Sequence, residues 1–112
     1  MNKIKQKIFL KPLSVNEARQ GKRYKTKKYK KFEQILLQKL KNKKINKEKK
    51  LHIIVDVWFS SVRSDLDNIF KPLFDILQKK YWFDDKRIYQ ITAKKNIVQK
   101  WYEYLDFEIK NI

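Results

Sequence analysis

The sequence of 112 residues contains no cysteine and only one histidine, one glycine and two prolines. Without cysteine it can form neither a disulfide framework nor a thiolate zinc site, and His52 has no second histidine to share a metal with. No apolar run approaches about 18 residues, so we expect neither a signal peptide nor a membrane span. The lack of thiols fits an intracellular protein.

Negative charge is also scarce, because 29 Lys/Arg stand against 12 Asp/Glu, giving a formal net charge of +17. The excess lies in residues 1–50, which hold 19 basic and 3 acidic residues. Neutralising phosphates releases condensed counterions, so this half is predicted to bind a polyanion such as nucleic acid. The basic stretches lack the broad apolar face of an interfacial helix, so a membrane surface is not the expected partner.

Hydrophobic residues make up 42% of the chain and aromatic residues 14%, which is enough for a folded core, and the length indicates one domain over residues 1–112. Apolar spacing predicts strands at 4–10, 51–59, 88–95 and 101–109, with the last two forming a hairpin. It predicts helices from an N-cap at Thr26 to Leu40 and from about 64 to 79. The predicted fold is a two-layer α+β domain of order β-α-β-α-β-β, with the helices packed on a mixed sheet.

Pro72 complicates the second helix, because an interior proline removes a backbone hydrogen bond and clashes with the preceding turn. Either the helix is kinked there, or it begins near Lys71 and leaves 65–68 as a tight lead-in. Both alternatives give this segment an unusual geometry.

Five acidic residues fall within residues 64–85 of this otherwise basic chain. Asp65 and Asp67 are two apart and face one side if the lead-in is extended, and the loop at Asp84 and Asp85 could fold back to join them. Three carboxylates suit Mg²⁺, which can activate water for attack on a phosphodiester. Lys71 could neutralise charge in the transition state, or it could pair with an aspartate one helical turn away.

A structural explanation of the same residues is also available. Ser64 with Asp67 matches a capping box, and acidic residues are favoured in a first helical turn. The pair Asp84 and Asp85 is ordinary in a loop. On its own, the D-x-D pattern more often starts a helix than binds a metal.

The combination of S-D-L-D-N-I-F-K-P-L-F-D-I-L with Y-W-F-D-D-K-R-I resembles the RusA family of Holliday junction resolvases, crossover-junction endodeoxyribonucleases found in phages and prophages. The similarity is close from Asp65 to about Lys95 and looser back to Lys11. The resemblance implies that Asp65 and Asp67 bind the metal, that Lys71 is the catalytic lysine, and that Asp85 is the third ligand, with Asp84 as the alternative.

The resemblance further implies a homodimer with one Mg²⁺ site per subunit and no small-molecule cofactor. Such a dimer would cut two strands symmetrically about a four-way DNA junction, in recombination and repair, in the cytoplasm or nucleoid of a bacterium or its phage. The basic loop and first helix are expected to bind DNA phosphates through Arg19, Lys22, Arg23, Lys25, Lys27 and Lys28. The alternatives are a non-enzymatic nucleic-acid-binding protein and a nuclease for other branched DNA.

Overall fold

The computed structural model of the chain describes residues 3–13, 19–20 and 24–112. The elements in chain order are β1 (Lys3–Ile8), β2 (Arg19–Gln20), β3 (Tyr24–Lys25), α1 (Lys27–Lys39), β4 (Leu51–Phe59), α2 (Phe70–Tyr81), β5 (Ile88–Ile97) and β6 (Tyr104–Asn111). Short 3-10 helices at Leu66–Ile69 and Asp85–Arg87 precede α2 and β5. The predicted α+β class is confirmed. The predicted basic loop before the first helix, residues 13–25, lies partly outside the described residues, and its described part contains the small β2–β3 pair.

The main sheet has four strands in the order β1-β6-β4-β5 and is mixed, as predicted. β4 runs parallel to β5 and antiparallel to β6, while β1 pairs antiparallel with β6. The predicted hairpin between the last two strands is wrong, because β4 lies between them and each of them pairs with it. The connection between β5 and β6 crosses the end of β4, where the Val98 amide donates to the Phe59 carbonyl at 2.7 Å.

The core lies on one face of this sheet, beneath both α-helices. Alternate residues of β4 point into it, so that Ile53, Val55 and Val57 are fully buried. Burying a side chain of this size contributes about 1.5–3 kcal/mol. The α1 and α2 residues that close the core share the three-to-four spacing of a helical stripe; they are Tyr29, Phe32, Leu36, Leu73, Ile76 and Leu77. The opposite face of β4 remains half-buried.

Local sequence explains where both helices begin. The Thr26 hydroxyl accepts a hydrogen bond of 3.1 Å from the Tyr29 amide, which confirms the predicted N-cap of α1. Pro72 lies in the first turn of α2, where its missing amide has no helical partner to lose. The helix therefore starts at Phe70 without a kink, and the second of the two alternatives for this segment is confirmed.

Among the described residues, no helix combines the length and the apolar character needed to cross a membrane.

Candidate active site

A cleft of about 360 Å³ opens where β4 ends. Four separate parts of the chain meet there: the segment after β1, the end of β4, the turn that leads to α2 and the segment before β6. The residues that line the cleft are Lys11, Pro12, Phe59, Ser60, Ser61, Arg63, Ser64, Asp65, Asn68 and Glu103.

The turn after β4 is held by local and long-range hydrogen bonds. The Ser61 hydroxyl accepts from the Arg63 amide at 3.2 Å, and the Ser61 carbonyl accepts from the Ser64 amide at 3.2 Å. From β5, the Lys95 ammonium donates to the Val62 carbonyl at 2.8 Å. These bonds bring the chain to Asp65 in an extended conformation, with φ −97° and ψ 125°.

Asp65 is an exposed carboxylate on the wall of the cleft. Its Oδ2 accepts a hydrogen bond of 3.3 Å from the Asn68 amide group, and its own carbonyl accepts from the Asn68 backbone at 3.2 Å. Asp65 directly precedes the 3-10 helix, and its side chain makes no capping bond. The expected capping box of Ser64 with Asp67 is therefore not the way in which this helix starts.

Asp67 and Lys71 lie two and six residues after Asp65 along the same segment. Asp67 is exposed within the 3-10 helix, and it does not line the cleft that contains Asp65. Three residues complete one turn of a 3-10 helix, so positions two apart do not share a face. The Lys71 ammonium lies 2.9 Å from the Asp75 carboxylate, so the predicted pairing with an aspartate one helical turn away is present.

Asp84 and Asp85 lie at the other end of the sheet. Ile88, the first residue of β5, is opposite Leu51 at the start of β4, whereas Asp65 follows the end of β4. The eight steps from Leu51 to Phe59, at about 3.3 Å each, make the paired length of these strands roughly 26 Å. Within one chain, Asp85 is therefore not brought to the cleft of Asp65.

The two neighbouring carboxylates differ in what they do locally. The Asp84 side chain accepts from the Lys86 amide at 3.1 Å and so caps the second 3-10 helix. That bond, together with the nearby charges of Lys86 and Arg87, lowers the pKa of Asp84 below its ordinary value. Asp85 has no capping role and remains exposed. Of the two, Asp85 is the better placed to reach a group outside its own loop.

The described residues of one chain do not assemble a three-carboxylate Mg²⁺ site. Throughout the described ranges, no three His, Cys, Asp or Glu side chains lie close enough together to hold a metal ion. Carboxylate oxygens are the hard ligands that Mg²⁺ prefers, but the metal also requires near-octahedral coordination, so its ligands must lie close together. The described residues of a single chain therefore do not fit the ion that the resemblance implies.

Glu103 is the residue of the cleft that sequence reasoning missed. Its carboxylate accepts from the Ser60 hydroxyl at 2.8 Å and from the Trp101 amide at 2.8 Å. Burial opposes its ionisation, but hydrogen bonds from its own amide, Ser60 and Trp101, together with the charge of Lys11, outweigh burial and lower the pKa of Glu103. No local pattern could have identified it, because Ser60 and Lys11 come from distant parts of the chain.

Positive charge continues from the cleft toward α1. Lys11 and Pro12 also line a neighbouring cleft of about 290 Å³, together with Lys28 and Lys31 of α1. Lys27 and Lys28 are exposed at the start of that helix.

The remaining predicted DNA contacts lie beside this helix in sequence. Arg19 and Lys25 belong to the paired strands β2 and β3. Lys22 and Arg23 lie outside the described residues.

The family described as Endodeoxyribonuclease RusA matches residues 12–104 of the 112-residue chain. No curated protein matches the chain closely enough to count as a relative. The matched range includes the whole cleft except Lys11, as well as Asp67, Lys71 and Asp85. Because the match extends over most of the sequence, the chain belongs to the RusA family of endodeoxyribonucleases.

Proposed function

We propose that this protein is a homodimeric endodeoxyribonuclease that resolves four-way DNA junctions by paired cuts, in recombination and repair, and that it requires Mg²⁺, which the described residues of one chain do not hold by themselves. The observation that supports cleavage best is the position of Asp65, a carboxylate without a capping role, in a cleft that also contains Lys11 and Arg63. Cations beside a carboxylate are the arrangement that phosphodiester hydrolysis needs, because negative charge grows on the phosphate in the transition state.

The cations have a binding role in this proposal. Lys11 and Arg63 would hold the phosphodiester, and the lysines of the neighbouring cleft, Lys28 and Lys31, would hold the strand on one side of it. Contacts of this kind fix the position of the backbone and carry no base sequence information directly. They support selection of DNA by shape rather than by sequence.

Asp67 and Lys71 would act close to the cleft edge. Asp67 is exposed, and the exposed Lys71 ammonium pairs with the half-buried Asp75 carboxylate on α2, so a bound phosphate could draw it away at small cost. An exposed ion pair of this type is worth about 0.3–0.5 kcal/mol. We propose that Lys71 stabilises the charge that develops on the phosphate.

The test compares purified wild type with Asp67→Asn on a panel of a four-way junction, a flap, a splayed arm and plain duplex, with and without Mg²⁺. We expect paired cuts in the junction by the wild type only, and junction binding by both proteins. Asp56→Asn is the matched control, because it makes the same chemical change on the half-buried face of β4 that points away from the core. This variant should cut normally.

Each other outcome has a definite meaning. Absence of cleavage by the wild type on every substrate would favour a non-enzymatic nucleic-acid-binding protein. Cleavage of flaps in preference to junctions would favour a nuclease for other branched DNA. Equal cleavage without Mg²⁺ would reject the proposed metal requirement.

A further inference from the structure

Trp82 is a large aromatic residue that the fold leaves in solvent. It directly follows α2 and lies between Tyr81 and Phe83, which are both buried in the core. Its own side chain is 78% exposed. Within the described part of the chain, no other ring packs against its indole. Because both neighbours are anchored in the core, the exposure of Trp82 is a fixed feature of this surface.

The backbone conformation of Trp82 also disfavours this residue type. Its φ of 59° and ψ of 42° lie in the left-handed region, where glycine is the usual residue at the end of a helix. A residue with a Cβ atom is less stable there than glycine. Trp82 neither gains from burial nor suits its backbone, so core packing and helix termination do not explain an indole at this position.

Lysines surround this indole. A groove of about 800 Å³ lies between the end of α1 and the end of α2, and its lining includes Lys43, Lys44, Lys80 and Trp82. An adjoining cavity of about 440 Å³ is lined by the same four residues, so the two cavities form one continuous surface, which we call the Trp82 surface. Of the described residues that line either cavity, Glu48 alone is acidic. The surface is therefore strongly basic.

Hydrogen bonds join the two walls of the groove. The Lys80 ammonium donates to the side-chain carbonyl of Asn42 at 2.7 Å, and the Tyr81 hydroxyl donates to the Lys41 carbonyl at 2.9 Å. These bonds connect the end of α2 to the segment that follows α1. The groove is thus formed by the fold itself, and a ligand does not have to order it.

The Trp82 surface and the cleft of Asp65 lie at opposite ends of α2. The cleft is lined by Asn68, just before the helix begins, whereas Trp82 follows its last residue. Twelve residues at about 1.5 Å each make α2 about 18 Å long. A ligand of the Trp82 surface therefore occupies a different place from a ligand of the cleft.

Positive charge beside an exposed aromatic ring is the combination that binds single-stranded nucleic acid. Lysines contact the phosphates, and an unpaired base stacks on the ring, which any base can do because each has a π-face. Paired bases inside a duplex are stacked on one another and do not reach the ring. Charge also argues against a second copy of this chain as the ligand, because a two-fold contact would bring the lysines of both copies together.

We propose that the Trp82 surface binds unpaired single-stranded DNA, with one base stacked on the Trp82 indole and the adjoining phosphates held by Lys43 and Lys44. The protein then has two separate places for DNA: the cleft for the strand that is cut, and the Trp82 surface for a strand without a partner. This binding does not rest on the proposed nuclease function, because neither the carboxylates nor Mg²⁺ take part in it.

Trp82→Gly tests the stacking. Glycine adopts a φ of 59° without steric cost, so this variant should fold and should resist urea at least as well as the wild type. Its affinity for a short fluorescent oligothymidylate, measured by anisotropy, should fall by about 5- to 150-fold. Trp82→Phe keeps an aromatic ring and should recover part of this affinity. Equal affinity of Trp82→Gly and the wild type for the oligothymidylate would overturn the proposal.

Trp101→Gly is the matched control. Trp101 is also exposed, by 84%, and also has a positive φ, of 78°. This variant should bind the oligothymidylate as the wild type does, and an equal loss of affinity in both glycine variants would contradict a specific site at Trp82. A fully paired DNA hairpin has no free base along its stem, so Trp82→Gly should bind it nearly as well as the wild type.

Lys43→Gln combined with Lys44→Gln tests the phosphate contacts. Each lysine that neutralises a phosphate of a single strand contributes about 0.7 to the slope of log affinity against log salt, so this double variant should lower the slope by about 1.4. Lys5→Gln with Lys94→Gln is the control, because both residues are exposed and the change in net charge is the same. An equal slope in both double variants would show that net charge alone holds the strand, which would reject the site.

A photochemical cross-link identifies the residue on which the base stacks. An oligothymidylate with one bromouracil, irradiated in its complex with the wild type, should attach to the peptide that contains Trp82, as mass spectrometry of a digest would reveal. Attachment at Trp58 or Trp101 instead would overturn the assignment.

A short polyglutamate peptide tests a different kind of polyanion on the same surface. If it binds as tightly as the oligothymidylate and depends equally on Trp82, the surface binds an acidic protein segment and the proposal is wrong. We expect it to bind much more weakly, because it has no base to stack. A wild type that cuts no DNA but still binds the oligothymidylate through Trp82 would reject the nuclease function and leave the present proposal intact.

Discussion

The Ser60 hydroxyl lies 2.8 Å from the Glu103 carboxylate, and this hydrogen bond joins the end of β4 to the segment that leads into β6. The same carboxylate accepts from the Trp101 amide, whose residue has a positive φ of 78°. A residue other than glycine in this region costs about 1–2 kcal/mol. Glu103 therefore stabilises a strained turn at the wall of the cleft that contains Asp65.

Glu103→Gln should lower the free energy of unfolding at neutral pH by about 1–3 kcal/mol, because the charge-assisted hydrogen bonds to Ser60 and Trp101 are weakened. The pKa of Glu103 is lower in the folded protein than in the unfolded chain. Its contribution is thus present above the unfolded pKa and is lost as pH falls through the folded pKa. Urea denaturation of the wild type and Glu103→Gln across the acidic range should show that the difference between their free energies of unfolding shrinks at low pH. A difference that stays constant with pH would indicate that packing, and not the charge of Glu103, causes it.

Lys71→Met separates a catalytic role from a structural one. The ion pair of Lys71 with Asp75 is exposed, so its loss should change the free energy of unfolding by about 0.5 kcal/mol at most. If Lys71 stabilises the transition state, single-turnover cleavage should fall by about 100-fold or more. Asp75→Asn is the control, because it breaks the same ion pair and should leave the cleavage rate nearly unchanged. Equal rate losses in both variants would indicate that the ion pair only positions α2.

The sequence was sufficient to predict those elements whose pattern is local. The strict alternation from Leu51 to Phe59, the N-cap at Thr26 and the effect of Pro72 each depend on a few neighbouring residues, and each was confirmed. Strand pairing was not predictable in the same way. The pattern of β5 and β6 is compatible with a hairpin, and only the tertiary arrangement inserts β4 between them.

The candidate site shows the same limit. Asp65 could be identified because neighbouring residues form a recognisable pattern, but Lys11 and Glu103 reach its cleft from segments 54 residues before and 38 residues after it. The sequence allowed the loop at Asp85 to fold back toward Asp65, because it does not show at which end of the sheet this loop lies. The paired length of β5 excludes such a return within one chain.

Tyr81 should make the protein sensitive to alkali. Its buried hydroxyl donates to the Lys41 carbonyl at 2.9 Å, and burial raises the pKa of Tyr81 to about 12 from 10.0. The folded state therefore holds the phenolic proton more tightly, so stability is constant below about pH 10 and falls as pH rises toward about 12.

Tyr81→Phe should remove this loss of stability at alkaline pH. It should also lower the free energy of unfolding at neutral pH by about 1 kcal/mol, because the hydrogen bond is missing. Chemical denaturation at neutral and alkaline pH measures both effects. Tyr89→Phe is the control, since Tyr89 is 61% exposed, and its unfolding profile should match the wild type. If Tyr81→Phe still loses stability at alkaline pH, a group other than Tyr81 causes the loss.

DNA binding should depend steeply on salt, because 19 of the basic residues lie in the first 50 positions and phosphate contacts release counterions. Each lysine that neutralises a phosphate contributes about one unit to the slope of log affinity against log salt. Replacing both Lys27 and Lys28 with glutamine should therefore lower the slope for a four-way junction by about two. Lys5 and Lys94, both exposed on the main sheet, provide a control with the same change in net charge. If only the variant of Lys27 and Lys28 lowers the slope, the start of α1 contacts DNA phosphates and the bound strand runs from this helix to the cleft. If both double variants lower the slope equally, the start of α1 does not contact DNA and the overall charge alone accounts for binding.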